Sequence, residues 1–141
     1  MTDSTPSVLF VCVKNGGKSQ MAAGLMRRLA GDTVAVYSAG TTPGTAVNTI
    51  SAQALLEVGI DITGEQPKPL DYELARGVDL VVTLGREAQL DPLPPGTRVE
   101  NWDTDEPSHR GIDGLDRMRL IRDDIDRRVR ELHAGLINVA G

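Results

Sequence analysis

The sequence predicts an α/β fold of three layers, with a central four-stranded parallel sheet and helices on both of its faces. Val8 to Val13 is apolar apart from Cys12, and Val78 to Leu84 is nearly so. Continuous apolar runs of this length fit strands covered on both sides, as in parallel sheets. Strand-like and helix-like stretches follow in the order strand, helix, strand, helix, strand, strand, helix. The first run ends in a glycine loop that opens onto a helix. Right-handed crossovers place the first strand centrally, so that Cys12, at its carboxyl end, faces the crevice where such sheets bind ligands. Residues 1–141 read as a single domain, long enough to bury a core without staples.

Asn15, Gly16 and Gly17 break the first strand, and a helix begins at Ser19, with Met21, Leu25 and Leu29 on one face at spacings of four. Thr33 to Gly40 is a short β-branched second strand ending in a glycine turn. Ala46 to Val58 repeats Ile50, Ala54, Leu55 and Val58 at helical spacing, with Asn48 near its start and Gly59 as its stop. After Pro67 and Pro69, Asp71 to Ala75 forms a brief helical turn, and Lys68 reads as a solvated side chain. Val78 to Gly85 is the third strand, and Arg98 to Trp102 is the short fourth one after a rigid, proline-rich connection. Asp116 to Leu132 is the long last helix, with Met118, Ile121, Ile125, Val129 and Leu132 as one apolar stripe and a solvated charged face.

The chemistry concentrates in Cys12-Val13-Lys14-Asn15-Gly16-Gly17-Lys18-Ser19. A glycine loop can curl so that successive backbone N–H groups point inward, and the helix behind adds its positive dipole end. Such a nest, here Val13 to Lys18, binds a tetrahedral oxyanion. A thiolate at its mouth is stabilised by the same donors and becomes a nucleophile. Lys18 adds a fixed positive charge, while Ser19 can cap the helix or donate its hydroxyl to the thiolate. A nucleotide-binding phosphate loop fails on spacing, since its first glycine falls at position 12, which is cysteine. The bland alternative is an ordinary buried strand cysteine; the adjoining nest, lysine and serine favour a reactive one.

Composition narrows the classes. Forty per cent hydrophobic and 25% charged residues describe a soluble globular protein, and no apolar run reaches the length of a membrane span. Met1 to Ser7 lacks the apolar core of a signal peptide, so a cytoplasmic location is expected. A net charge of −5 argues against nucleic acid as a partner. His109 and His133 have no ligating neighbours at metal spacing, so neither a metal nor a bound cofactor is expected. With one cysteine in the chain, any thiol redox cycle must borrow its second sulfur from another molecule.

The loop, with five residues between Cys12 and Lys18-Ser19, resembles the signature of the low-molecular-weight protein tyrosine phosphatases and of the arsenate reductases built on the same flavodoxin-like fold. The family carries arginine where this chain has Lys18. Asn15 and Ser19-Gln20-Met21-Ala22 look like the arsenate reductase branch, and Ser38-Ala39-Gly40 matches the segment that closes strand two beside the loop. The resemblance implies a general acid before Pro107. That position is Glu106, with Asp105 beside it, and a neighbouring oxyanion would keep such a carboxyl protonated. An acidic loop leading into a helix is the plainer reading of the same residues. Thioredoxin-coupled members of the fold carry resolving cysteines after strand three; here those neighbourhoods read Gly85-Arg86-Glu87 and Asp91-Pro92-Leu93.

Three functions follow as expectations. A phosphatase would form a cysteinyl-phosphate, but only four aromatic residues are present to grip a phenol, and Lys18 lacks the two-pronged guanidinium. A non-catalytic oxyanion-binding regulator would not need the thiol. The resemblance to single-cysteine members points instead to an arsenate reductase of the arsenate–mycothiol transferase type. Arsenate would be its substrate, mycothiol its co-substrate in preference to glutathione, and a mycoredoxin its reductant. Three lysines against twelve arginines fit the GC-rich bacteria that make mycothiol. A monomer or weak dimer is expected.

Overall fold

The computed structural model describes residues 5–140; Met1 to Ser4, part of the polar start, and Gly141 lie outside the described residues. Four parallel strands form one sheet: β1 (Ser7–Cys12), β2 (Ala35–Gly40), β3 (Leu80–Leu84) and β4 (Val99–Trp102), in the order β2-β1-β3-β4. Their alternating side chains feed two cores. Val8 and Phe10 point into one core with Leu80 and Val82, whereas Leu9 and Val11 point into the other with Val81. Burial on both faces is why β1 and β3 read as unbroken apolar runs.

The two covers are unequal. Helices α1 (Lys18–Ala30), α2 (Thr49–Leu56) and α4 (Gly114–Ala140) close the larger core, with Met21, Met26, Leu55, Ile121 and Ile125 fully or almost fully buried. The smaller core is closed by α3 (Tyr72–Gly77) and by the loop residues Leu70, Leu90 and Leu93. Asn48 caps α2, its side-chain oxygen accepting from Ser51 N at 2.9 Å, so the helix starts at Thr49 rather than Ala46. Asp71 caps α3 in the same way. The last helix runs beyond Leu132, and among the described residues no helix is long and apolar enough to cross a membrane.

This order sets β1 between β2 and β3, with Cys12 opposite Gly40 at the carboxyl end of β2. Glycine is required there. A Cβ at position 40 would lie 2.6 Å from Val13 O and 2.9 Å from Asn15 N, both backbone atoms that cannot swing aside. Gly40 also bonds to the following segment, donating to Lys68 O at 2.8 Å and accepting from Leu70 N at 3.0 Å. The loop after Cys12 is thus pressed between β2 and residues 66–70.

Overpacking of this kind costs about 1–3 kcal/mol. Gly40→Ala is expected to lose stability in that range in urea unfolding followed by Trp102 fluorescence, and to slow alkylation of Cys12 in the protein that remains folded. Wild-type values for both would show that β2 does not constrain the loop.

Candidate active site

From Cys12 to Gly17 every main-chain carbonyl has a partner. Thr41 N donates to Cys12 O, Thr42 N to Val13 O, Gly44 N to Lys14 O and Asn48 N to Gly16 O, at 2.7–3.1 Å. Gln20 Nε2 reaches Asn15 O, and Met21 N reaches Gly17 O. The amides behave oppositely: among the described residues, none from Val13 to Lys18 donates to a protein acceptor. A loop whose oxygens are all held outward leaves its N–H groups for an anion. Gly17 is the N-cap of α1, which adds the helix's positive end.

Asn15 holds the turn. It is fully buried and is the one non-glycine among the described residues with positive φ, at 53°, a conformation that asparagine tolerates better than most residues. Its Oδ1 accepts from Lys68 N at 2.9 Å and from Gln20 Nε2 at 3.1 Å. A main-chain N–H can only donate, so the other end of the amide is nitrogen, and it donates to Ser19 Oγ at 2.7 Å. The Ser19 hydroxyl, lying 2.9 Å from Cys12 Sγ, is then free to direct its own proton at the sulfur. This is the placement that a thiolate-donor role for Ser19 requires. The capping role is not filled, since no side chain caps α1 and the hydroxyl is committed to the sulfur.

Two residues of this framework were not legible as site residues. Lys68, read as solvated, is partly buried and supports Asn15 through its backbone, and burial lowers its side-chain pKa. Gln20, fully buried, ties Asn15 to Gln66 O at 3.4 Å. The available signal was an amide side chain beside the apolar run Met21-Ala22-Ala23.

All three lysines, Lys14, Lys18 and Lys68, lie in or against this loop, and arginine supplies every cation in the ion pairs found. Lys18 stands between two grooves. One, of about 540 Å³, runs past Lys14, Gly16 and Gly17 to Arg117 and has no carboxylate in its lining. The other, of about 600 Å³, holds Glu87, Asp103, Asp105 and Glu106 together with Arg86 and Arg110. A larger hollow of about 760 Å³ lies beside β4 and the end of α4, near Pro6 and Asp79 at the amino ends of β1 and β3, away from Cys12. Among the described residues, no group of three or more His, Cys, Asp or Glu side chains could hold a metal ion.

The acidic groove holds Glu106 and Asp105 in ion pairs that the sequence did not show. Glu106 receives Arg117 Nε and Nη2 at 2.8 and 2.9 Å and the Ser108 hydroxyl at 2.8 Å. The Arg117 hydrogen bond, reinforced by Ser108, holds its pKa down to about 2 instead of raising it. Asp105 is gripped by Arg110 at 2.9 and 3.1 Å, and that hydrogen bond lowers its pKa too. Asp103 is paired with Arg86, with the same effect. In all three the arginine partner favours the charged carboxylate.

A hydrogen bond to a charged group is worth about 1.5–3 kcal/mol, so Ser19→Ala is expected to slow iodoacetamide alkylation of Cys12 at neutral pH by about tenfold or more. An unchanged rate would leave the hydroxyl with no part in activating the sulfur. For Glu106 the sign is fixed by its depressed pKa: its ion pair adds stability above the ordinary value of 4.5 and loses it as pH falls toward about 2. The stability gap between wild type and Glu106→Gln in urea unfolding should therefore stay constant from pH 8 to pH 5 and narrow only below. A gap that closes between pH 7 and 5 would restore the raised carboxyl.

Comparison with known proteins agrees with this architecture. The sequence matches the family described as low molecular weight phosphotyrosine protein phosphatase over residues 7–139. It is 34% identical over 130 residues to arsenate reductase 2 of Staphylococcus saprophyticus, covering 90% of this chain and 95% of the relative. The thioredoxin-dependent arsenate reductase of Corynebacterium glutamicum superposes with a TM-score of 0.82 at 33% identity, over 99% of this chain and 65% of that one. This chain therefore spans just under two thirds of that protein. An arsenate reductase in its phosphate-binding state superposes with a TM-score of 0.78 at 32% identity, covering 93% and 98% of the two chains. With the family matched along nearly its whole length and the sheet, loop and cysteine in place, the chain belongs to the low molecular weight phosphotyrosine protein phosphatase family.

Proposed function

We propose that this protein is an arsenate reductase that works by transferring arsenate from Cys12 to mycothiol. The observation that carries the reading is a lone thiol beside an open nest of amides, with a hydroxyl aimed at it and no second cysteine in the chain. The Cys12 sulfur attacks arsenic, an As–S bond forms, and one arsenate oxygen leaves as water. Because arsenate brings its own protons, this step does not depend on a protonated carboxyl. Loss of a phenolate from an aryl phosphate would need one, and the ion pairs of Glu106 with Arg117 and of Asp105 with Arg110 favour the charged carboxylates.

The second half follows from sulfur counting. An outside thiol takes the arsenic, forming a new As–S bond as the first breaks, and Cys12 is regenerated. A thiol of a mycoredoxin then attacks the sulfur of the arseno-thiol. The electron pair of the S–As bond stays on arsenic, which leaves as As(III), while the two sulfurs become a disulfide. The Corynebacterium relative is described as thioredoxin-dependent; a route through an internal disulfide needs a second cysteine, and this sequence has one. Mycothiol is preferred to glutathione on the sequence resemblance to single-cysteine members.

The expected result is arsenite production from arsenate with mycothiol plus mycoredoxin, lost in Cys12→Ala. Glutathione with glutaredoxin should support little turnover, and thioredoxin none. Turnover with thioredoxin alone, or aryl phosphate hydrolysis without arsenate turnover, would overturn the reading.

A further inference from the structure

The anion loop carries lysine where its family carries arginine, so the site lacks a forked donor from the loop itself. The structure supplies one from elsewhere. Arg117, in the first turns of α4, lines the carboxylate-free groove with Lys14, Gly16, Gly17 and Lys18. Its side chain is 30% exposed, so it is neither sealed in the core nor free in solvent. Glu106 takes Nε and one hydrogen of Nη2, leaving three of the five guanidinium N–H donors without a protein acceptor among the described residues. Glu106 is itself steadied by Ser108, so the guanidinium is held at a fixed position before any ligand arrives.

The two grooves beside Lys18 differ in sign. One sets four carboxylates against Lys18, Arg86 and Arg110, whereas the one lined by Lys14, Lys18 and Arg117 has cations and no carboxylate in its lining, which makes it the more favourable of the two for an oxyanion on a chain whose net charge is −5. Arg117 shares the lining of that groove with Lys14, Gly16, Gly17 and Lys18 of the loop. We infer that Arg117 is a substrate-binding residue, contacting the tetrahedral oxyanion beside the loop, and that Glu106 is a positioning residue that holds Arg117 there. This assignment rests on the oxyanion-binding role of the site but not on the identity of the thiol donor. It gives the residue before Pro107 a task that needs no proton, and it fills the gap that Lys18 leaves.

The test uses the full-length chain and inorganic phosphate, whose binding needs no reductant, with arsenate turnover measured in parallel. Arg117→Ala should weaken phosphate binding by calorimetry about tenfold and raise KM for arsenate more than it lowers kcat, a loss typical of a charge-assisted hydrogen bond. Arg117→Lys should recover only part of the affinity, because a point charge lacks the fork. Glu106→Gln should weaken binding less, and the double variant should be no worse than Arg117→Ala alone. In wild-type protein, where folding is not in question, phosphate should protect Arg117 from phenylglyoxal more than it protects Arg86 or Arg110. Unchanged phosphate affinity in folded Arg117→Ala, or no protection of Arg117, would overturn the contact, and additive losses in the double variant would overturn the positioning role. Phosphate binding that depends on Arg117 without any arsenate turnover would sink the proposed reaction and uphold the contact.

Discussion

The structure turns on the direction of the peptide groups between Cys12 and Lys18. Each carbonyl from Cys12 to Gly17 is bonded outward, mostly to residues 41–48, and the amides from Val13 to Lys18 are left for an anion. That polarity is costly for a chain to hold, because a run of unpaired donors is tolerated only where something overdetermines it. Three constraints do so here. Gly40 lets β2 come within atomic contact of the loop, Asn15 accepts a left-handed turn, and Asn48 ties Gly16 to the start of α2. The sheet contributes by seating Cys12 opposite Gly40.

Seen from that loop, Asn15 couples position to reactivity. The same amide that accepts from Lys68 and Gln20 donates to Ser19, whose hydroxyl faces the sulfur. Moving the 66–70 segment would therefore alter not only the shape of the nest but also the donor to Cys12. Electrostatics follows the same economy. The carboxylates beside the loop, Asp103, Asp105 and Glu106, are matched with arginines, whereas among the described residues none of the three lysines at the loop forms an ion pair, so positive charge is kept there on an acidic chain.

Much of this was legible in the sequence, for identifiable reasons. Burial on both faces leaves a continuous apolar run, which marked β1 and β3, and helical spacing marked α1, α2 and α4. The loop announced itself because glycines, lysine and serine beside a cysteine are a local pattern. Element ends were less visible: Asn48 is the cap that starts α2 at Thr49, and apolar residues past Leu132 continue α4. The partner of the acidic loop was not visible, since nothing adjacent to Glu106 signals that Arg117, eleven residues on, returns to grip it. Lys68 was missed for a similar reason, its contribution coming from a backbone N–H 53 residues from its acceptor.

The central claim is that arsenic leaves Cys12 for an outside thiol, so that the protein sulfur never becomes part of a disulfide during turnover. Intact-mass spectrometry of enzyme quenched during turnover with arsenate and mycothiol, before any mycoredoxin is added, reads this directly. The account predicts protein at its unmodified mass or carrying arsenate on Cys12, with arseno-mycothiol in solution. Protein accumulating with one mycothiol disulfide-linked to Cys12 would contradict it, because arsenic would then have been reduced on the enzyme.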